Sequence, residues 1–135
     1  MDLPDRFARE AERLVGTKFR LHGRDAKHGV DCVGLVVLAL RNSGRNVTQP
    51  AAYSLRNTSI ARQLESVAGS GLVEAGGPAR RGDLVLVRPG PAQHHLMISV
   101  GEDRFVHAHA RLRRVVVQTG LHDIPILYHW RLGQN

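Results

Sequence analysis

From Val33 to Leu40 the chain is apolar on every side a helix could present, relieved only by Gly34, and the run stops at Arg41. A helix without a polar face has to be covered all round, so the rest of the chain must be built about this segment. It is far shorter than the roughly 20 apolar residues that cross a bilayer, which makes it a central core helix and not a membrane span. Asp31 directly precedes it as a natural N-cap, Cys32 falls in its first turn, and Ser43-Gly44 supplies the stop. Cys32 is the only cysteine of the 135 residues, so an intramolecular disulfide is excluded and any thiol chemistry belongs to a free side chain. The length suits one domain, residues 1–135, able to bury a core without staples.

Around this helix the patterning changes once. Phe7, Ala8, Ala11, Leu14 and Val15 recur at helical spacing behind Pro4, and Gly16 can close that first helix. The segment TKFRLHGRDAKHG has no period and reads as a loop, residues 45 to 57 read as irregular, and Ile60, Leu64, Val67 and Ala68 mark a shorter amphipathic helix. After the Gly-rich AGSGLVEAGGP come DLVLV, HLMISV, RFVHAHA, RRVVVQT and IPILYHW, about five strands with turn residues between them. Helices first and strands after predict an α+β fold, with amino-terminal helices packed on an antiparallel meander.

Two readings fit Cys32. Free cysteines are among the most buried residues, so it can be simple packing. At a helix start, however, the exposed N–H groups favour a thiolate, and a nearby imidazole would lower its pKa below the free value of about 8.5. Four of the eight histidines, His94, His95, His107 and His109, fall within HHLMISVGEDRFVHAH. If HLMISV and RFVHAHA pair through the Gly101-Glu102-Asp103 turn, His95 comes to the neighbourhood of residues 107 to 109. Alternation puts His95, Met97 and Ser99 on one face and Leu96, Ile98 and Val100 on the other. His107 and His109 share a face, so spacing leaves open which of them meets His95. A thiol, a base and a group orienting the base would suit acyl transfer. Histidines on an exposed sheet face, or His95, His107 and His109 as nitrogen ligands of zinc, are the other readings. The second of these lacks the companion cysteine or His-Glu-x-x-His helix that zinc sites use. RRGD has the form of an adhesion tripeptide but is placed as the turn into a strand.

The net charge of +7 favours an anionic partner, and the scarcity of aromatics (4%) argues against nucleic acid, since basic residues are not interleaved with stacking rings. The amino terminus, MDLPDRFAREAERL, lacks the basic-then-apolar pattern of a secretory signal, so synthesis in the cytoplasm without a signal peptide is expected.

Taken together and in order, GTKFRLHGRDAKHGVDCVGLVVLAL, RRGDLVLV and HHLMISVGEDRFVHAHA resemble the NlpC/P60 family of papain-like cysteine peptidases, which cut the peptide stems of bacterial cell walls. The resemblance covers most of the chain and implies a papain-like fold with no cofactor and no metal. By position it implies Cys32 as nucleophile, His95 as general base and His107 as the residue that holds the base. It places Asp31 near the free amino end of a substrate, with Phe19 and Val33 in the same corner. Phe19 stands where the family has Tyr, Val33 where it has Ser after the cysteine, and Met97 where Gly is common. The implied substrate is the stem peptide of peptidoglycan, cut between D-glutamate and diaminopimelate. The apolar residue after the cysteine, the short chain and the HDIPILYHWRL ending resemble the branch found with phage tails and gene transfer agents, whose proteins are implied partners. Action on the wall would then follow delivery by a particle or by host lysis.

Overall fold

The structure is a computed structural model that describes residues 1–45, 71–91 and 93–133. The helix expected around Ile60 to Ala68 lies outside the described residues. α1 spans Leu3–Arg13, capped by Asp2, whose carboxylate accepts from the Asp5 N–H at 3.0 Å. Leu3, Phe7, Ala8 and Ala11 form its buried face. Val15 lies past the helix end and is exposed, because the chain turns at Leu14.

α2 spans Cys32–Asn42 and, among its residues from Cys32 to Leu40, only Leu38 is not fully buried. Gly44 ends it with φ +100°, a left-handed conformation that costs little only for glycine, and the Arg45 N–H returns to the Leu40 carbonyl at 3.0 Å. No helix among the described residues is long and apolar enough to cross a membrane.

The segment read as a loop before α2 contains a small hairpin, β1 (Arg24–Asp25) with β2 (Gly29–Val30). Strands of two residues have no periodicity to read. The main sheet has six strands where five were expected: β3 (Leu72–Glu74), β4 (Leu84–Val87), β5 (His95–Gly101), β6 (Arg104–His109), β7 (Arg114–Thr119) and β8 (Ile126–Leu132). β3 is the addition, hidden in the Gly-rich connection. The order β3-β8-β4-β5-β6-β7 is antiparallel throughout, yet only β4 to β7 form the expected meander. β8 returns beside β4 because its alternate residues Trp130 and Leu132 are apolar and need the helix-covered face, where both are buried. Outside β7 they would have met an edge where Val117 is already exposed.

Alternation along β5 is as the sequence predicts. Leu96, Ile98 and Val100 join α1 and α2 in the main core, while Met97 packs on the other face with Val85, Val87 and Phe105. That second face is covered by Ala79, Leu121 and Ile124 from the loops.

RRGD is an internal fastening and not an adhesion loop. Arg81 ties the sheet to α1, donating to Asp5 (2.7 Å), Glu12 (2.6 Å) and the Val100 carbonyl (3.0 Å). Asp83 is completely buried and accepts from Arg131 through both oxygens at 2.9 Å, from the Arg80 N–H at 2.8 Å, and lies 2.7 Å from His129 Nε2. Burial alone would raise this carboxyl, but the Arg131 guanidinium, the Arg80 N–H and His129 outweigh it and hold it below the ordinary carboxylate range.

Candidate functional site

The start of α2 is pinned from three directions. Asp31 Oδ1 accepts from the Gly34 N–H at 2.8 Å as the N-cap and from Arg24 Nη1 at 3.0 Å, and Oδ2 accepts from the His22 N–H at 2.8 Å. Gly34 is required here, since a Cβ would run into the Gly23 carbonyl of the loop lying over the helix. These contacts fix Cys32 in the first turn, against β5 and beside a cavity of about 740 Å³. Phe19, His94, His95, Met97, His107 and His109 line that cavity together with the thiol.

His95 and His107 meet directly, Nε2 to Nδ1 at 2.8 Å with the rings at 85°. Extending the β5–β6 register beyond the Ile98–Val106 pair sets His95 across from His109, so the contact with His107 is diagonal. His109 takes a different role, accepting the Leu112 N–H at 3.1 Å, with its ring 5.6 Å from that of His107.

Behind His107 a residue not singled out from the sequence completes the arrangement. Gln118 of β7 has Oε1 at 3.0 Å from His107 Nε2, and its Nε2 donates to the Gly120 carbonyl at 3.0 Å. That carbonyl can only accept, so the amide nitrogen must face it and the amide oxygen must face His107. His107 Nε2 therefore carries the hydrogen and its Nδ1 is the acceptor. His95 Nε2 must then be the donor, which leaves His95 Nδ1 as a bare lone pair. The chain of contacts selects one tautomer of each imidazole. A lone glutamine in the run VVVQT carries no sequence signal for this, because its effect depends on the register of β7.

Both imidazoles are neutral near pH 7. Burial and the neighbouring His107 and His109 push His95 down to about 3. Burial lowers His107 to about 4, against an opposing pull from Gln118. The thiolate expected at the helix start is not the resting form. Cys32 is fully buried, and burial followed by the Asp31 charge pushes the thiol up to about 12, only partly offset by the N–H groups of Leu96, Val33 and Cys32 itself. Among the described residues no hydrogen bond joins the thiol to an imidazole.

The remaining sequence candidates separate. Phe19 borders the cavity, while Val33 is core at 1% exposure and does not line it. Asp31 is wholly buried, its oxygens are engaged by the cap, the loop and Arg24, and it does not line the cavity. His94 lines the cavity with 9% exposure, and its Nδ1 is buried without a partner among the described residues. No group of three His, Cys, Asp or Glu side chains among the described residues is placed to hold a metal ion.

The contacts of Asp31 predict that Asp31→Asn loses about 2 kcal/mol in urea unfolding, since the amide cannot accept from Gly34, His22 and Arg24 together. A direct contact with a substrate ammonium would instead leave stability unchanged and slow turnover of stems with a free amino end.

The NlpC/P60 family model matches residues 16–125, which include every side chain of the cavity described above. The murein DD-endopeptidase MepS/murein LD-carboxypeptidase of Escherichia coli K12 is 31% identical over 108 residues, 80% of this chain and 50% of that protein. The chain thus spans half the length of this curated relative. Among solved structures, NlpC2 from Trichomonas vaginalis superposes with a TM-score of 0.68 at 19% identity, over 99% of this chain and 47% of that one. The peptidoglycan hydrolase RipB from Mycobacterium tuberculosis gives 0.63 at 19% identity, over 96% and 63%. At these identities the structures speak to the fold, which is the papain-like arrangement of helices on an antiparallel sheet.

Proposed function

The chain belongs to the NlpC/P60 family, and we propose that it is a cysteine endopeptidase hydrolysing the peptide stems of bacterial peptidoglycan. The observation that carries this reading is the ordered series His95–His107–Gln118–Gly120, which leaves a bare Nδ1 on a neutral imidazole in the cavity that holds the only thiol. In this reading Cys32 is the nucleophile, His95 the general base and His107 the orienting residue. The thiol proton passes to His95 Nδ1 as sulfur attacks the carbonyl carbon. The new oxyanion is met by N–H groups at the helix start. The leaving amine takes the proton from His95, and water then cleaves the thioester by the same route in reverse.

The proposed bond is D-glutamyl–diaminopimelate. The Escherichia coli relative is named for DD-endopeptidase and LD-carboxypeptidase activities, so those two bond types are the competing assignments. Delivery by a phage-like particle or by host lysis is the accompanying proposal for how the domain reaches the wall.

The buried, protonated thiol also favours a second reading, in which the fold is kept as a wall-binding component with little turnover. Alkylation kinetics address the resting site. A raised thiol pKa means less thiolate at pH 7, so iodoacetamide should label the folded protein about tenfold or more slower than the unfolded chain, with a rate still climbing beyond pH 9. A plateau below pH 8 would restore the resting thiolate. Hydrolysis of a defined stem peptide separates the two readings, because the binding component leaves it intact.

The orienting assignment has its own test. His107→Ala should lower kcat by roughly 100-fold or more while His109→Ala stays within about threefold. Gln118→Leu frees the His107 tautomer and should cost about tenfold, whereas Gln118→Glu keeps the acceptor but sets an oxygen against the Gly120 carbonyl and should regain only part of the loss. Equal losses in the His107 and His109 variants would remove His107 from its role.

A further inference from the structure

One edge of the cavity carries a charge arrangement that the reaction chemistry does not use. Residues 13 to 24 and residues 104 to 122 contain no Asp or Glu, although Arg and Lys recur in both. The fold lays these two segments side by side. Gly16 N–H donates to the Val115 carbonyl (2.9 Å), Val115 N–H to Thr17 (2.8 Å) and Phe19 N–H to Arg113 (2.9 Å), while Lys18 and Arg114 face each other in an isolated bridge. Lys18, Arg20, Arg111, Arg113 and Arg114 are all exposed, and none has an acidic side chain within ion-pair distance among the described residues.

The neighbouring arginines are different. Arg24 is paired with Asp31 and Arg81 with Asp5 and Glu12, so this chain neutralises cations where they serve the fold. Lys18, Arg113 and Arg114, brought side by side by these backbone contacts with Arg20 and Arg111 close along the chain, repel one another, and an anion laid across them relieves that repulsion.

The strip reaches the cavity through Arg111, which lines it. We infer that Lys18, Arg20, Arg111, Arg113 and Arg114 form an extended subsite for the free carboxylates of an acidic substrate peptide whose scissile bond lies at Cys32. The inference rests on the proposed peptidase reading for the identity of the peptide, while the binding it describes does not require turnover. Arginine suits this task, since its planar fork takes a carboxylate through two hydrogen bonds.

The test compares a soluble stem peptide bearing free carboxylates with the same peptide carboxamidated, binding each to Cys32→Ser protein so that cleavage does not intervene. The parent should prefer the carboxylate form about tenfold at low salt, and the preference should shrink as salt rises. Arg111→Gln/Arg113→Gln/Arg114→Gln should erase the preference, and Arg111→Gln alone should reduce it, which covers the case of a poorly folded triple variant. With active protein, the same substitutions should raise KM and leave kcat within about twofold. Equal binding of the two peptides by the parent overturns the subsite even if hydrolysis is found. A carboxylate preference without hydrolysis upholds the subsite and discards the peptidase reading. Tighter binding of duplex DNA or a poly(glycerol phosphate) than of the peptide, lost in the triple variant, overturns it in favour of a phosphate polymer.

Discussion

Cys32→Ala is expected to reduce kcat/KM on stem peptides by roughly 10⁴-fold or more while leaving the fold intact. The size of the effect follows from the chemistry. No other thiol exists in the chain, and a water attacking in its place would lack both the nucleophilicity of sulfur and its fixed place in the cavity that His95 lines. The fold should tolerate the change because Ala removes one buried sulfur from a site where the sulfur makes no hydrogen bond to a side chain among the described residues, and Asp31 still caps α2. His95→Ala should approach the same loss, since its bare Nδ1 is the acceptor that the His107–Gln118–Gly120 series orients. His94→Ala should lose much less, because its buried Nδ1 has no hydrogen-bond partner among the described residues to fix a tautomer. Comparable losses at His94 and His95 would mean that the base has been misidentified.

The second large effect is on stability. Asp83→Ala should cost about 3 to 5 kcal/mol, read as a lower urea midpoint at unchanged slope. The substitution strips Arg131 and His129 of their shared carboxylate and leaves the Arg80 N–H without its partner. It acts where β4, β8 and the preceding turn are joined, far from the thiol chemistry, so residual folded protein should keep its kcat. Because the folded-state pKa of Asp83 lies below its unfolded value, the carboxylate contributes stability that is fully present above the ordinary carboxylate range and is lost as pH falls below that range through the lowered folded-state value. The acid limb of the parent's stability curve should therefore be steeper than that of Asp83→Asn. A midpoint shift worth less than about 1 kcal/mol would show the network to be a surface-like cluster.

These effects depend on features that were unequally visible in the chain. α2 was legible because an all-round apolar run admits only burial and Asp31 stands before it as a natural cap. β4 to β7 were legible from alternation and turn residues. β1 and β2 were not, being two residues each, and β3, three residues long, was hidden by the glycines around it. The placement of β8 depended on where a core face remained free, which local pattern does not encode. His95 could be brought to His107 and His109 from the hairpin, but the choice between them rests on a diagonal contact, and Gln118 enters only through the β6–β7 register. The thiol pKa was not legible for a related reason. Helix position is readable from sequence and favours a thiolate, whereas the burial that outweighs it arises from tertiary packing.

The central claim, that this cavity hydrolyses peptidoglycan stems through Cys32, is tested most directly by digesting purified peptidoglycan with the parent protein and with Cys32→Ala, and identifying the soluble products by mass spectrometry. The account predicts new fragments ending at D-glutamate, with new amino termini on diaminopimelate, from the parent alone. Identical fragment patterns from the two proteins, or no release by either, would contradict it.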